Sequence, residues 1–244
     1  MCYDATARPP IPPVMGGAVP LGEEHVLTAE DGNQFAAYSA QTSPTGGPGI
    51  VILPDVRGLH PFYQELARRF AQTGVHATAI DYFGRTAGVG QGPERGEDFE
   101  YMPHVRQTTP DTIAMDAAAA VTYLRQRADR IYTVGFCFGG RNSFNQAARK
   151  HGLSGVIGFY GRVDAPTRLA NGYECPVLGL FGGADRGITK EHVDGFQQAL
   201  DEAGVRNELV TYEGAPHSFF DRAYEQYADA CADAWRRILA FVET

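Results

Sequence analysis

Residues 135–140 read Gly-Phe-Cys-Phe-Gly-Gly, a cysteine between glycines where an apolar segment gives way to a helix-compatible one. Upstream, Arg130-Ile131-Tyr132-Thr133-Val134 is short, β-branched and aromatic, the composition of a buried strand. Downstream, Arg141 to Lys150 places Phe144 and Ala147/Ala148 three to four residues apart, which is helical spacing. The glycines around Cys137 remove the Cβ atoms that would collide in so sharp a strand-to-helix turn. Such a turn lifts the central side chain off the sheet edge and aims it into a cleft, as a nucleophile must be presented. A thiol there also sits at a helix N-terminus, where the dipole favours thiolate.

A thiol nucleophile needs a base, an acid that orients the base, and donors for the developing oxyanion. In chains with this kind of turn the acid follows a later strand and the histidine comes from the last loop. Leu180-Phe181-Gly182-Gly183-Ala184-Asp185 supplies the carboxylate, and Glu213-Gly214-Ala215-Pro216-His217-Ser218-Phe219-Phe220 supplies the histidine. The backbone N–H groups of Phe138 and Val56 are the expected oxyanion donors. Each residue has a plainer reading alone: cysteine as a small buried hydrophobe, aspartate as a turn or cap, histidine as surface. The order Cys137, Asp185, His217 at strand ends favours the chemical reading of all three. His217 would take the proton of Cys137 while Asp185 fixes its tautomer; attack on an ester carbonyl gives a thioester that water cleaves.

These side chains need an alternating scaffold. Glu24–Thr28 and Phe35–Ser39 flank Asp31-Gly32-Asn33 and read as a hairpin. Strands are then expected at Gly49–Leu53, His76–Ile80, Arg130–Val134, Ser154–Tyr160, Val177–Phe181 and Asn207–Tyr212. Helices are expected at Phe62–Thr73, Thr112–Arg127, Arg141–Lys150, His192–Ala203 and Ala223–Val242, with Gly74 and Gly204 closing two of them. Strand and helix alternating from residue 49 onward imply an α/β fold, a mostly parallel sheet covered on both faces. The expected organisation is an extended proline-rich arm over 1–20 and a single domain over 21–244. The excursion over 83–111 is long for a connection and leaves the C-terminal end of a strand, so it is expected to cover the site. Phe83 and His104 from it, and Tyr160 from a strand end, are expected to line the pocket.

Composition narrows the classes. Of the 244 residues, 29 are acidic and 21 are Lys or Arg, a formal net charge of -8 that speaks against nucleic-acid binding. Cys2, Cys137, Cys175 and Cys231 fit no metal spacing and no disulfide framework, as in a cytoplasmic protein with free thiols. No run of 18 apolar residues occurs, and Pro9 to Pro13 would interrupt a leader, so neither a membrane span nor a targeting segment is expected.

The chain resembles the dienelactone hydrolase (carboxymethylenebutenolidase) family, cysteine hydrolases of the α/β-hydrolase fold. The resemblance is carried by Leu53-Pro54-Asp55-Val56-Arg57-Gly58-Leu59, Asp81-Tyr82-Phe83-Gly84-Arg85, the Cys137 turn, Gly182-Gly183-Ala184-Asp185 and His217-Ser218-Phe219. It implies cofactor-independent hydrolysis of lactones or small esters by a monomer or homodimer. It also implies that Asp55 stands where relatives carry a glutamate that helps deprotonate the cysteine. Of the two arginines that hold a substrate carboxylate in relatives, Arg85 matches the first. The second lies four residues past the histidine, where this chain has Asp221, with Arg222 beside it. Two rival readings are hydrolysis of other acyl or phosphoryl esters, and a thiol-based redox-sensing or binding protein. An oriented histidine argues against the latter.

Overall fold

Two compact units divide the chain, one within Pro13–Ile131 and the other containing Tyr132–Thr244. The computed structural model describes residues 8–11, 22–43, 45–89, 95, 99–221 and 223–243. Arg222, Cys2 and most of the arm expected over 1–20 lie outside the described residues.

The first unit begins with an antiparallel hairpin, β1 (Gly22–Thr28) and β2 (Gln34–Ala40). Its turn is set by Gly32 at φ 86° and by the Asn33 N–H donating to the Asp31 carboxylate at 3.2 Å. β3 (Pro48–Leu53), α1 (Pro61–Gln72) and β4 (His76–Ile80) form a parallel crossover in which Gly49 pairs with His76. The strands lie in the order β1-β2-β4-β3. α1 starts where the His60 side chain accepts the Phe62 N–H at 3.3 Å and Pro61 presets the first turn. Phe62, Tyr63, Leu66, Ala67, Phe70 and Ala71 form its buried stripe, packed on β2 and β4. Burying one such large side chain is worth ~1.5–3 kcal/mol. Gly74, at φ 88°, ends the helix in the left-handed conformation that glycine adopts without strain.

Between β4 and α4 (Pro110–Leu124) run two short helices, α2 (Gly84–Ala87) and α3 (Tyr101–Val105). Thr109 caps α4 by accepting the Thr112 N–H at 3.1 Å. Ile113, Ala117, Ala120, Val121 and Leu124 are buried on the helix side that meets β3 and β4.

The second unit is wholly parallel, in the order β5-β6-β7-β8. Its elements are β5 (Arg130–Phe136), α5 (Phe138–Gln146), β6 (Gly155–Phe159), α6 (Pro166–Ala170), β7 (Val177–Gly182), α7 (Lys190–Glu202), β8 (Asn207–Tyr212) and α8 (Ala228–Glu243). β5, β6 and β7 are buried on both faces, with Val134, Val156, Ile157, Phe159, Leu178 and Leu180 all 0 % exposed, whereas β8 at the edge includes exposed positions. Gly158 has no side chain because the Phe144 ring of α5 occupies that space. A mostly parallel mixed sheet with helices between its strands makes this the α/β-hydrolase fold.

Two helices depart most from the sequence expectation. α5 starts at Phe138 rather than Arg141 and ends at Gln146, because the cysteine itself caps the helix. α8 starts at Ala228, not Ala223. The preceding residues form turns instead, held where the Tyr227 hydroxyl donates to the Gly214 carbonyl at 3.0 Å. Among the described residues, no helix is long and apolar enough to cross a membrane.

Candidate active site

Cys137 sits in a strained bend between β5 and α5, at φ 56° and ψ -111°. That region is costly for a residue with a Cβ and persists only where the surroundings force it. Here they do. The Cys137 N–H donates to the Phe159 carbonyl at 3.0 Å, and its own carbonyl accepts the Arg141 N–H at 3.1 Å. A Cβ at Gly135 would strike the backbone of Gly139, so the glycines of the sequence pattern are demanded by closeness as well as by the bend. The thiol is partly exposed and makes no disulfide.

Asp185 and His217 come from the turns after β7 and β8. His217 Nδ1 and Asp185 Oδ2 are 2.6 Å apart. The other carboxylate oxygen accepts the N–H groups of Gly187 at 2.7 Å and Ile188 at 3.1 Å. Burial opposes ionisation of Asp185, but the hydrogen bonds from His217, Gly187 and Ile188 outweigh it and hold its carboxyl below the usual carboxylate range. The two turns are joined main chain to main chain: Gly183 N–H donates to Tyr212 O at 2.8 Å and Ala184 N–H to Ala215 O at 2.9 Å. At Gly182 a Cβ would lie 2.5 Å from the Ala215 carbonyl and 2.6 Å from that of Pro216.

An aromatic cluster underlies these residues. Phe136 precedes Cys137 and stacks on Phe159 at 4.7 Å; Phe159 precedes Tyr160 and meets Phe220 at 4.6 Å. The Tyr160 ring lies 4.9 Å from the imidazole of His217, and its hydroxyl donates to Asp221 at 2.8 Å. Both Tyr160 and Asp221 are buried. Aromatic pairs of this kind contribute ~0.5–1.5 kcal/mol each beyond their burial. Sequence reasoning missed the Tyr160–Asp221 pair; only the apolar tract around Phe219 and Phe220 hinted at a packed turn.

The candidates of the first unit have neighbours of their own. Asp55, fully buried after β3, accepts the Arg57 main-chain N–H at 2.9 Å and pairs with its guanidinium at 3.2 Å. Val56 lies in the turn between them, which the Gly58 N–H closes on the Asp55 carbonyl at 3.1 Å. Arg85 bridges Asp31 and Asp116, with the latter at 2.8 Å. Phe83 is fully buried, and its ring lies 5.7 Å from that of His104, which bonds Thr86 at 2.8 Å. Arg95 was not anticipated: it grips Asp81 with two bonds of 2.7 and 2.6 Å, its guanidinium over the rings of Phe83 and Phe99 at 5.0 and 4.8 Å. Partners 14 residues apart in an irregular stretch leave no periodic trace.

Cys175 and Cys231 are buried, and burial pushes both thiols up to about 12, the behaviour of inert core cysteines. Among the described residues, no group of three or more His, Cys, Asp or Glu side chains could hold a metal ion.

Known proteins resemble the chain along most of its length. The model of the dienelactone hydrolase family matches residues 35–244. A Salmonella typhimurium protein named "Putative carboxymethylenebutenolidase" is 29% identical over 259 residues, covering 96% of this chain and 93% of its own. A Bradyrhizobium protein named "Probable 2-oxo-3-(5-oxofuran-2-ylidene)propanoate lactonase" is 27% identical, with 87% and 90% covered. The crystal structure named "Putative Dienelactone Hydrolase" from Klebsiella pneumoniae superposes with a TM-score of 0.79 at 26% identity, covering 91% of this chain and 98% of that one. Sheet order, strand-end turns and a match over residues 35–244 converge: the chain belongs to the dienelactone hydrolase family of α/β-hydrolases.

Proposed function

We propose that the protein hydrolyses lactones or small carboxylic esters with Cys137 as nucleophile, His217 as base and Asp185 as the group that orients it. The observation that carries this reading is the 2.6 Å bond between His217 Nδ1 and Asp185 Oδ2, in the unit that also holds Cys137 in its strained bend. With Nδ1 committed to the carboxylate, Nε2 is the nitrogen that exchanges protons. The helix dipole of α5 stabilises negative charge on a sulfur at its cap.

In the first half-reaction the thiol proton passes to His217 and sulfur bonds to the carbonyl carbon, whose π electrons move onto oxygen. The Phe138 N–H, first of the helix, is the donor nearest in sequence to that oxyanion. Collapse re-forms the carbonyl, breaks the carbon–oxygen bond and sends the His217 proton to the leaving alkoxide, leaving a thioester on Cys137. A water that gives its proton to His217 then attacks the thioester, releasing the acid and the thiol. In a lactone the leaving alcohol stays tethered to the acyl group, so ring opening and deacylation yield one hydroxy acid.

The lactonase and carboxymethylenebutenolidase names among its relatives support this substrate class. The chain differs from the family pattern in what could hold a substrate carboxylate. Arg85 is bound by two aspartates, and Asp221 carries a carboxylate four residues past His217. Esters and lactones without a carboxylate are therefore the proposed substrates.

The test is acid quench during turnover of a neutral aryl ester, followed by peptide mass spectrometry. An acyl group on Cys137, and loss of turnover in folded Cys137→Ala, are expected. An adduct on another residue, or wild-type turnover in Cys137→Ala, overturns the mechanism.

A further inference from the structure

Tyr160 occupies a conformation that tyrosine rarely adopts. It follows β6 at φ 36°, and Ser218, directly after His217, stands at φ 61°. Strain at two such residues around one imidazole asks what holds them and what is gained.

The backbone answers the first half. Tyr160 N–H donates to Leu180 O at 2.8 Å, and the residue before it, Phe159, accepts the Cys137 N–H at 3.0 Å. Gly161, next in line, lies so close to Gly140 of α5 that a Cβ on either would strike the other's chain segment. The backbone of the Tyr160 bend is thus locked onto that of the cysteine bend.

The side chain answers the second half. The ring packs against the His217 imidazole at 4.9 Å, tilted by 55°, and also meets Phe219 at 5.8 Å. The hydroxyl reaches past them to Asp221 at 2.8 Å. Asp221 closes the histidine turn, its N–H donating to Ser218 O at 3.3 Å. One side chain therefore touches the histidine, the residue two beyond it and the end of its turn, while its backbone is tied to the cysteine.

We propose that Tyr160 is a positioning residue for His217, with Asp221 as its tether: the buried phenol–carboxylate bond holds the histidine turn in register with Cys137. The proposal rests on the assignment of Cys137 and His217 given above. Losing the tether frees the turn without removing a reacting group, so it lowers kcat and leaves substrate affinity nearly intact.

Tyr160→Phe removes only the hydroxyl. The expected result with a neutral aryl ester is a kcat lower by roughly ten- to hundred-fold, with KM within about two-fold. Asp221→Asn keeps an acceptor for the phenol and is expected to lose less than Tyr160→Phe. Asp221→Leu, which keeps none, is expected to match Tyr160→Phe. If Tyr160→Phe does not fold because the buried Asp221 loses its phenol donor, the double Tyr160→Phe/Asp221→Leu carries the same prediction with both polar groups gone. Wild-type kcat in a folded variant lacking the hydroxyl overturns the proposal, as does Asp221→Asn losing as much as Asp221→Leu. Cys137→Ala, run in parallel, separates the two claims. If it retains turnover, the cysteine mechanism fails; if it is inactive while Tyr160→Phe is wild-type in kcat, only the tether fails.

Discussion

The two units put their buried acids to different uses. In the first, the buried Asp55, Asp81 and Asp116 all end on guanidinium groups: Asp55 on Arg57, Asp81 on Arg95, and Asp116 of α4 on Arg85, which also holds Asp31. In the second, the central acid Asp185 is spent on an imidazole whose side chain remains 37% exposed, and the backbone is bent out of comfortable regions at Cys137, Tyr160 and Ser218. Closed ion pairs hold loops in place; strained backbone with a partly exposed base is what a reacting site needs. Charge count alone does not separate the two cases. What separates them is whether each charge ends on a partner or on a group that must still exchange a proton.

Four variants break or sharpen that contrast. The largest effect belongs to His217→Ala, expected to lower kcat by at least ~10³-fold with little change in melting temperature, since the proposed base and not the fold is lost. Next is Asp185→Asn, expected to lower kcat by ~10²–10⁴-fold, because the imidazole then lacks the acceptor that sets its tautomer. The same variant alters acid unfolding. Since the carboxyl of Asp185 titrates below its unfolded value, its stabilising contribution is present above about pH 4. It is lost as pH falls further, through the folded-state value. Denaturant titrations at pH 6 and pH 3 should show a smaller loss between the two for Asp185→Asn than for the wild type.

In the first unit the effects should fall on stability. Asp81→Ala strands a guanidinium that is 5% exposed, and is expected to cost ~3–5 kcal/mol by denaturant unfolding. Equal stability of this variant and the wild type would show that the pair does not fasten the excursion between β4 and α4. The smallest effect is that of Arg85→Ala on KM. With Arg85 committed to Asp31 and Asp116, KM for a carboxylate-bearing ester should change by less than about two-fold. A ten-fold rise restricted to anionic substrates would instead make Arg85 an anion anchor.

Much of the scaffold was legible because its signals are local. The apolar runs at 49–53 and 177–181, and glycines 74 and 204, mark elements that the structure reproduces within a few residues. The bend at Cys137 was legible for the same reason, since glycine spacing is a local steric demand. α2, α3 and α6, of four or five residues each, were not, because helices so short depend on contacts rather than on periodicity. The partners of Tyr160, Arg85 and Arg95 were equally hidden. Tyr160 and Asp221 are 61 positions apart, and Arg85 and Asp116 are 31 apart, distances at which only the folded chain pairs residues.

Gly182 carries a consequence for how such a chain can change. With the carbonyls of Ala215 and Pro216 at 2.5 and 2.6 Å from any Cβ placed there, even an alanine would push the histidine loop off the aspartate loop. The two loops are therefore a single transferable part. A designer who grafts a new histidine loop, or a lineage that lengthens one, must carry the glycine and the matching loop along with it. Substitution at this one position is a way to dismantle the site while leaving every reacting side chain in the sequence.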